Sequence, residues 1–487
     1  MAPGRLRRSL SRFLATLHAL FFAILGAFAT LVVVGILVIN NKPDLSVWHE
    51  AHLDEEFTEN SQVTSLQDYL ALEDRLFAQL QSDVYGKITQ RERTDFNRYN
   101  EGSRSDPGIW PKNWNRTFEL TTGDAQYGVL LLHGYSDSPY SLRNLGQMLH
   151  GEGAHILGLR IPGHGTAPSG LKHAIYEDMA AAVRLAMRYL SDRLGDRPLF
   201  IIGYSNGGAL ATHYSLAAIE DASLPRPAGL VLISPEIGVT PVAALASWQA
   251  WIGDLLGLDK LAWNTVQPEY DPFKYGSFAV NAGEQVHRLT GAIQSQLDRL
   301  EKAGRLAEIP PILAFQSAVD ATVSARALLD GLFDRLKAGK HQLVIFDVNR
   351  IYEAQGLLKK PIDLDQMLSG PGRPYGVGIV SNRNDASAAV VLRQRLEGDA
   401  ISSVEELGLA WPENIYSLAH ISLPFAPNDP VYGNDSGSEN PGVRLGELAI
   451  RGENRTLAIP NTAMTRLHWN PFFPFLTDRI RKYVTDR

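Results

Sequence analysis

The sequence predicts an α/β fold: a mostly parallel sheet with helices on both faces, carrying a lid insertion and preceded by an N-terminal transmembrane helix. Three observations predict it. Apolar runs alternate with helical stretches from about residue 116 onward. A serine framed by glycines, "GYSNGG", joins one such run to the helical stretch "GGALATHYSLAAI". A long apolar run, Phe13 to Ile39, follows Arg5, Arg7, Arg8 and Arg12.

The N-terminal run is taken first. It exceeds the roughly 20 residues needed to cross a bilayer and is longer than the apolar core of a typical signal peptide. "AFA" at 27–29 resembles a cleavage site, yet apolar residues continue past it, which favours an uncleaved anchor. The arginines before the run and the acidic residues after it (Asp44, Glu50, Asp54, Glu55, Glu56) orient the anchor. Positive charge stays inside, so the expectation is a single-pass membrane protein, held through residues 13–39, with its N-terminus cytoplasmic and everything after residue 40 periplasmic or extracellular.

Composition then limits the partners. With 487 residues and 45% hydrophobic content, the chain can bury a large core. A net charge of −7 offers no basic field for a phosphate backbone, so nucleic acid is not an expected partner. There are no cysteines, which removes disulfides, thiolate metal sites and a cysteine nucleophile. The pair of histidines in "HEAH" (49–52) lacks zincin spacing. With no Walker loop and no dinucleotide fingerprint in context, neither a metal nor a cofactor is expected.

Residues 41–115 hold the helical pattern "SLQDYLALEDRLFAQLQSDVY" and then a breaker-rich loop, which reads as a stalk behind the 1–40 tip and anchor. Residues 116–487 form the main domain. Its predicted strands are 127–133, 154–160, 198–204, 228–234, 311–317 and 341–347, each short and almost wholly apolar, as in a sheet covered on both faces. Two gaps exceed simple crossovers: 235–310, aromatic-rich and read as a lid, and 348–413, a second insertion.

Ser205 sits where a nucleophile elbow requires it, between strand and helix, with small residues flanking the turn. The bland alternative is a glycine-rich turn with an incidental serine. A serine hydroxyl needs a histidine to take its proton and a carboxylate to orient that histidine. Asp320, just past the strand "PILAFQS", is the favoured acid, with helix capping as its other role and Glu236 in "LISPEIG" as its rival. His420, closing "NIYSLAH" where a strand-end loop fits, is favoured as the base over His468 near the chain end, and His341 is set aside because it stands at the wrong end of its strand. Developing negative charge needs two backbone donors, for which Asn206 and Tyr135 are placed. Trp248, Trp251, Tyr270 and Phe273 are candidate acyl-pocket residues, with lid packing as the equal alternative.

The motifs "LLLHGYSDSPYSL", "LRIPGHGTAPSG", "GYSNGG" and "SAVDATV", in that order, give a chain that resembles the α/β-hydrolase superfamily, closest in look to bacterial serine esterases and monoacylglycerol-lipase-like enzymes. The resemblance covers roughly 116–487. It implies a triad of Ser205, Asp320 and His420 with Tyr135 and Asn206 as oxyanion donors, acting on a small-molecule ester or lipid-like substrate. A peptidase or amidase using the same triad is the alternative, and a hydrolase-fold protein that binds without turnover is another. The chain departs from simpler members in one respect: some seventy residues separate "HQLVIFDVNR" from His420. Either the histidine loop carries a large insertion, or "NIYSLAH" is an added strand.

Overall fold

A computed structural model describes residues 14–27, 30, 42–238, 259–353, 356, 358, 362–369, 372–399, 402–435, 440–446 and 465–486. Its strands are β1 (Phe118–Leu120), β2 (Tyr127–Leu132), β3 (Ala154–Leu159), β4 (Leu199–Tyr204), β5 (Gly229–Ile233), β6 (Trp263–Thr265), β7 (Phe278–Ala279), β8 (Ile312–Ser317), β9 (Gln342–Phe346), β10 (Gly376–Asn382), β11 (Ala389–Arg395) and β12 (Ser403–Ala410). Ten of them form one sheet in the order β1-β3-β2-β4-β5-β8-β9-β10-β11-β12, while β6 and β7 pair separately. From β3 to β10 all pairings are parallel. At the two edges β1, β11 and β12 run antiparallel to their neighbours.

Alternation along the central strands divides the core. Leu130, Leu132, Ile201, Leu230, Leu232 and Ile345 face one side, with the helices Tyr176–Leu194, Asn206–Glu220 and Val280–Lys302 over them. Val129, Leu131, Ile202, Val231, Ile233 and Phe346 face the other, against Arg143–Gly151 and Phe473–Thr485. Both faces are apolar, so these strands show continuous hydrophobic runs in sequence.

The structure differs from the sequence expectations in three places. The stalk expected at 41–115 is laid along the body. Its helix, Leu66–Asp83, buries Leu66, Tyr69 and Leu72 in the core beside Leu157 and Leu159. Arg160, fully buried after β3, is held by Glu56 at 2.8 Å and Glu73 at 3.1 Å. The expected lid, 235–310, is shorter than its sequence span. Residues 280–302 form a crossover helix whose Leu289, Ile293 and Leu297 are spaced to bury one face. Residues 239–258 lie outside the described residues.

The third difference is in the second insertion, which contains β10, β11 and β12. They extend the sheet beyond β9 before the chain turns back to His420. "NIYSLAH" is irregular and not an added strand.

The expected membrane run, 13–39, is described only at 14–27 and 30. Residues 14–27 are helical, with Leu14, Leu17, Leu20, Phe21, Phe22, Ile24 and Leu25 exposed. Among the described residues no helix is long and apolar enough to cross a membrane.

Candidate active site

Ser205 follows β4 directly and precedes the helix Asn206–Glu220. Its backbone has φ 53° and ψ −118°, a conformation that costs a non-glycine residue strain and persists only where the surroundings impose it. Two glycines allow the turn. A Cβ on Gly203 would lie 2.3 Å from the Gly207 carbonyl oxygen, and one on Gly207 would lie 2.0 Å from that of Leu132. The Ser205 N–H donates to Ile233 at 3.0 Å, and the Ser205 carbonyl accepts from Glu236 N–H at 3.1 Å. The elbow is therefore fixed from both sides.

Asp320 stands in the turn after β8 and is bonded to His420: the imidazole Nδ1 donates to Oδ2 at 2.8 Å. Oδ2 also accepts from Gln316 at 2.9 Å, and Oδ1 accepts from the Thr322 and Val323 amides at 2.8 and 2.9 Å. Burial pushes this carboxyl up, but the facing His420 and these donors outweigh it and hold Asp320 below its ordinary value. His420 opens a short turn. Its ring lies 5.3 Å from that of Tyr204, the residue before the serine, and its carbonyl accepts from the Tyr204 hydroxyl at 3.4 Å. Ser317 secures the same loop by donating to the Leu418 carbonyl at 3.0 Å. Asp320 and His420 are thus joined past the C-terminal end of β8, and His420 packs on Tyr204, the residue that precedes Ser205 at the end of β4.

The loop after β2 passes the serine closely, since a Cβ on Gly134 would sit 3.1 Å from Ser205 Cβ. Among the described residues neither the Tyr135 nor the Asn206 backbone N–H has a hydrogen-bond partner. His133 shapes this loop. Its Nε2 accepts from Ile161 at 3.0 Å, so Nδ1 carries the hydrogen donated to the Gly134 carbonyl at 2.9 Å.

A cavity of about 220 Å³ reaches the loops that follow Tyr135 and His420, lined by Ser136, Tyr270, Lys274, Ile421, Tyr432 and His468. Tyr270 is at its wall. Phe273 is not, because its ring is stacked on Tyr140 at 4.0 Å as buried packing. Trp248 and Trp251 lie outside the described residues. His468 is in the cavity wall without a carboxylate partner among the described residues, and burial lowers it to about 4. Glu236, the rival acid, makes no bond to His420.

Sequence reasoning missed Asp429, which has no exposed surface. It accepts from Arg143 at 2.9 Å, Tyr140 at 3.0 Å, Asn144 at 3.2 Å and the amides of Val431 and Tyr432. Partners 285 to 289 positions apart leave no local signal.

A family model described as "Serine aminopeptidase, S33" matches residues 123–349. A thermostable monoacylglycerol lipase of Bacillus sp. (strain H-257) is 26% identical over 197 residues, spanning 40% of this chain and 71% of the relative. Solved structures similar to it include the Paleococcus ferrophilus monoacylglycerol lipase, at 21% identity and TM-score 0.36, covering 47% of this chain and 88% of that one. A soluble variant of the monoglyceride lipase of Saccharomyces cerevisiae is 16% identical with TM-score 0.35, covering 47% and 82%. The parallel sheet and strand-to-helix serine turn, together with the family match over 123–349 and the similarity to a lipase, support an α/β-hydrolase fold and an ester-hydrolysing serine hydrolase that resembles serine esterases and lipases.

Proposed function

We propose that this protein cleaves carboxylic esters with acyl or lipid-like groups through an acyl-serine intermediate on Ser205. The observation that carries the reading is the Asp320–His420 bond at 2.8 Å, made beside a serine strained to φ 53°. In the proposed cycle His420 Nε2 takes the Ser205 Oγ proton while Asp320 fixes the ring through Nδ1. Oγ attacks the ester carbonyl, and the oxyanion is held by the Tyr135 and Asn206 N–H groups. The imidazolium then protonates the departing alcohol oxygen. A water, deprotonated by the same imidazole, releases the acid and restores Ser205.

Lipid-like esters are supported by the apolar and aromatic part of the cavity wall, Tyr270, Phe278, Ile421 and Phe425, and by the relative described as a monoacylglycerol lipase. The family description "Serine aminopeptidase, S33" favours a second reading, amide or peptide cleavage by the same three residues. We place the catalytic domain outside the cytoplasm, tethered by residues 13–39, because the arginines precede that apolar run and acidic residues follow it.

The test uses a fluorophosphonate probe and peptide mass mapping on wild type and Ser205→Ala. Label on the Ser205 peptide, absent from the variant, supports the reading, and an ester and amide panel of varied chain length then separates the two substrate classes. A folded protein that takes no label sinks it in favour of a binding role. Protease accessibility in intact cells, with and without residues 1–40, tests the tether.

A further inference from the structure

The loop after β5 carries a second carboxyl into the site. Its segment 234–238 runs between the nucleophile and the acid. The Ser234 N–H donates to Phe315 of β8 at 2.8 Å, and the Glu236 N–H donates to Ser205 at 3.1 Å. Pro235 packs against the elbow helix, since a Cβ on Gly208 would be 2.7 Å from Pro235 Cβ. One on Gly238 would be 2.8 Å from Ala327 Cβ, in the helix that follows Asp320. Glu236 is thus wedged between the Ser205 and Asp320 loops. Its Oε2 is buried and, among the described residues, has no hydrogen-bond partner. An unpaired buried carboxyl oxygen is costly, and one kept at a catalytic centre calls for a use.

The titratable groups that face Glu236 are His420, Asp320, Tyr204 at the end of β4 and, from the loop after β2, Tyr135. Asp320 already divides its charge among Gln316, Thr322 and Val323 as well as His420. The imidazolium therefore gains from a second counter-ion. Resting on the triad reading, we propose that Glu236 is a positioning residue for the reaction: as a carboxylate it shares with Asp320 the stabilisation of the His420 imidazolium formed when Ser205 attacks. Burial raises Glu236 to about 7, and the facing His420 opposes that rise, so the charge is available at neutral to mildly alkaline pH.

The experiment measures kcat/KM for a 4-nitrophenyl ester from pH 5 to 9 in wild type, Glu236→Gln, Glu236→Asp, Asp320→Asn and the double variant Asp320→Asn/Glu236→Gln. Thermal melts confirm that each is folded. Removing an opposite charge from the histidine's surroundings is expected to move the acid limb of the Glu236→Gln profile down by about one pH unit and to lower kcat roughly tenfold with KM unchanged. Glu236→Asp keeps the limb near its wild-type position. In the Asp320→Asn background Glu236 is the remaining carboxyl, so its loss costs a larger factor there than alone. An unmoved limb in Glu236→Gln overturns the proposal, as does a factor equal in both backgrounds. Absence of Ser205-dependent hydrolysis in wild type sinks the triad reading instead, so the two failures are distinguishable.

Discussion

Cutting the chain at residue 116, where the family-like part begins, should destroy the fold, whereas cutting at residue 42 should leave it intact. The segment between them buries Phe57, Leu66, Leu72 and Leu76, each no more than 6% exposed. At about 1.5–3 kcal/mol for each such side chain, their loss costs about 6–12 kcal/mol. It also strips Arg160 of Glu56 and Glu73, leaving a buried guanidinium whose remaining bond here is to the His164 carbonyl at 3.1 Å. An uncompensated buried charge adds about 3–5 kcal/mol. The sum matches or exceeds the whole stability of an ordinary domain, about 5–15 kcal/mol. Circular dichroism melts, urea unfolding and fluorophosphonate labelling of the 42–487 and 116–487 fragments check this. A 116–487 fragment that melts cooperatively within a few degrees of the longer one, and takes label, would refute the reasoning.

Gly207→Ala should abolish labelling and lower stability by about 3 kcal/mol or more, because the new Cβ meets backbone at 2.0 Å that no rotamer change can relieve; urea unfolding reads the cost. Asp429→Ala should cost about 3–5 kcal/mol in the same assay, since Arg143 loses its buried counter-ion. KM should rise too, as Asp429 holds the Val431 and Tyr432 amides and Tyr432 is part of the cavity wall. Stability should respond to pH through Glu236. Its folded value, about 7, lies above the ordinary carboxyl value, so its contribution is full below that ordinary value and is lost as pH rises through 7. The Tm advantage of Glu236→Gln over wild type should therefore be larger at pH 8 than at pH 5, and a reversed order would contradict the assignment.

Where one residue type at one spacing has few uses, the sequence was enough to find the element. The six predicted strands agree with β2, β3, β4, β5, β8 and β9 to within a residue at either end, because covered parallel strands must be apolar throughout. Ser205 was legible for the same reason, since glycines at 203 and 207 serve backbone approach and little else. Phe273 was not, because an aromatic in an insertion is equally suited to lining a cavity or to stacking on Tyr140. The role of residues 41–115 depended on Glu56 and Glu73 meeting an arginine 104 and 87 positions away, a pairing with no local trace. The strands β11 and β12 escaped notice because the outermost, "SVEELGLA", has little buried surface and no strong apolar pattern.

The detour between β9 and His420 begins and ends at one side chain. Asn349 receives the returning chain: its N–H donates to Tyr416 at 2.7 Å and its Nδ2 to Ile415 at 2.9 Å, while Asn382 donates to its Oδ1 at 3.0 Å. Exit and re-entry are thus neighbours, and the reach from β9 to the histidine is set by this clasp, whatever length of chain hangs beyond it. The excursion behaves as a cassette. Length added to its loops raises the closure cost only with the logarithm of that length, whereas β10, whose Val377, Ile379 and Val380 lie in the core, must stay for the clasp to hold.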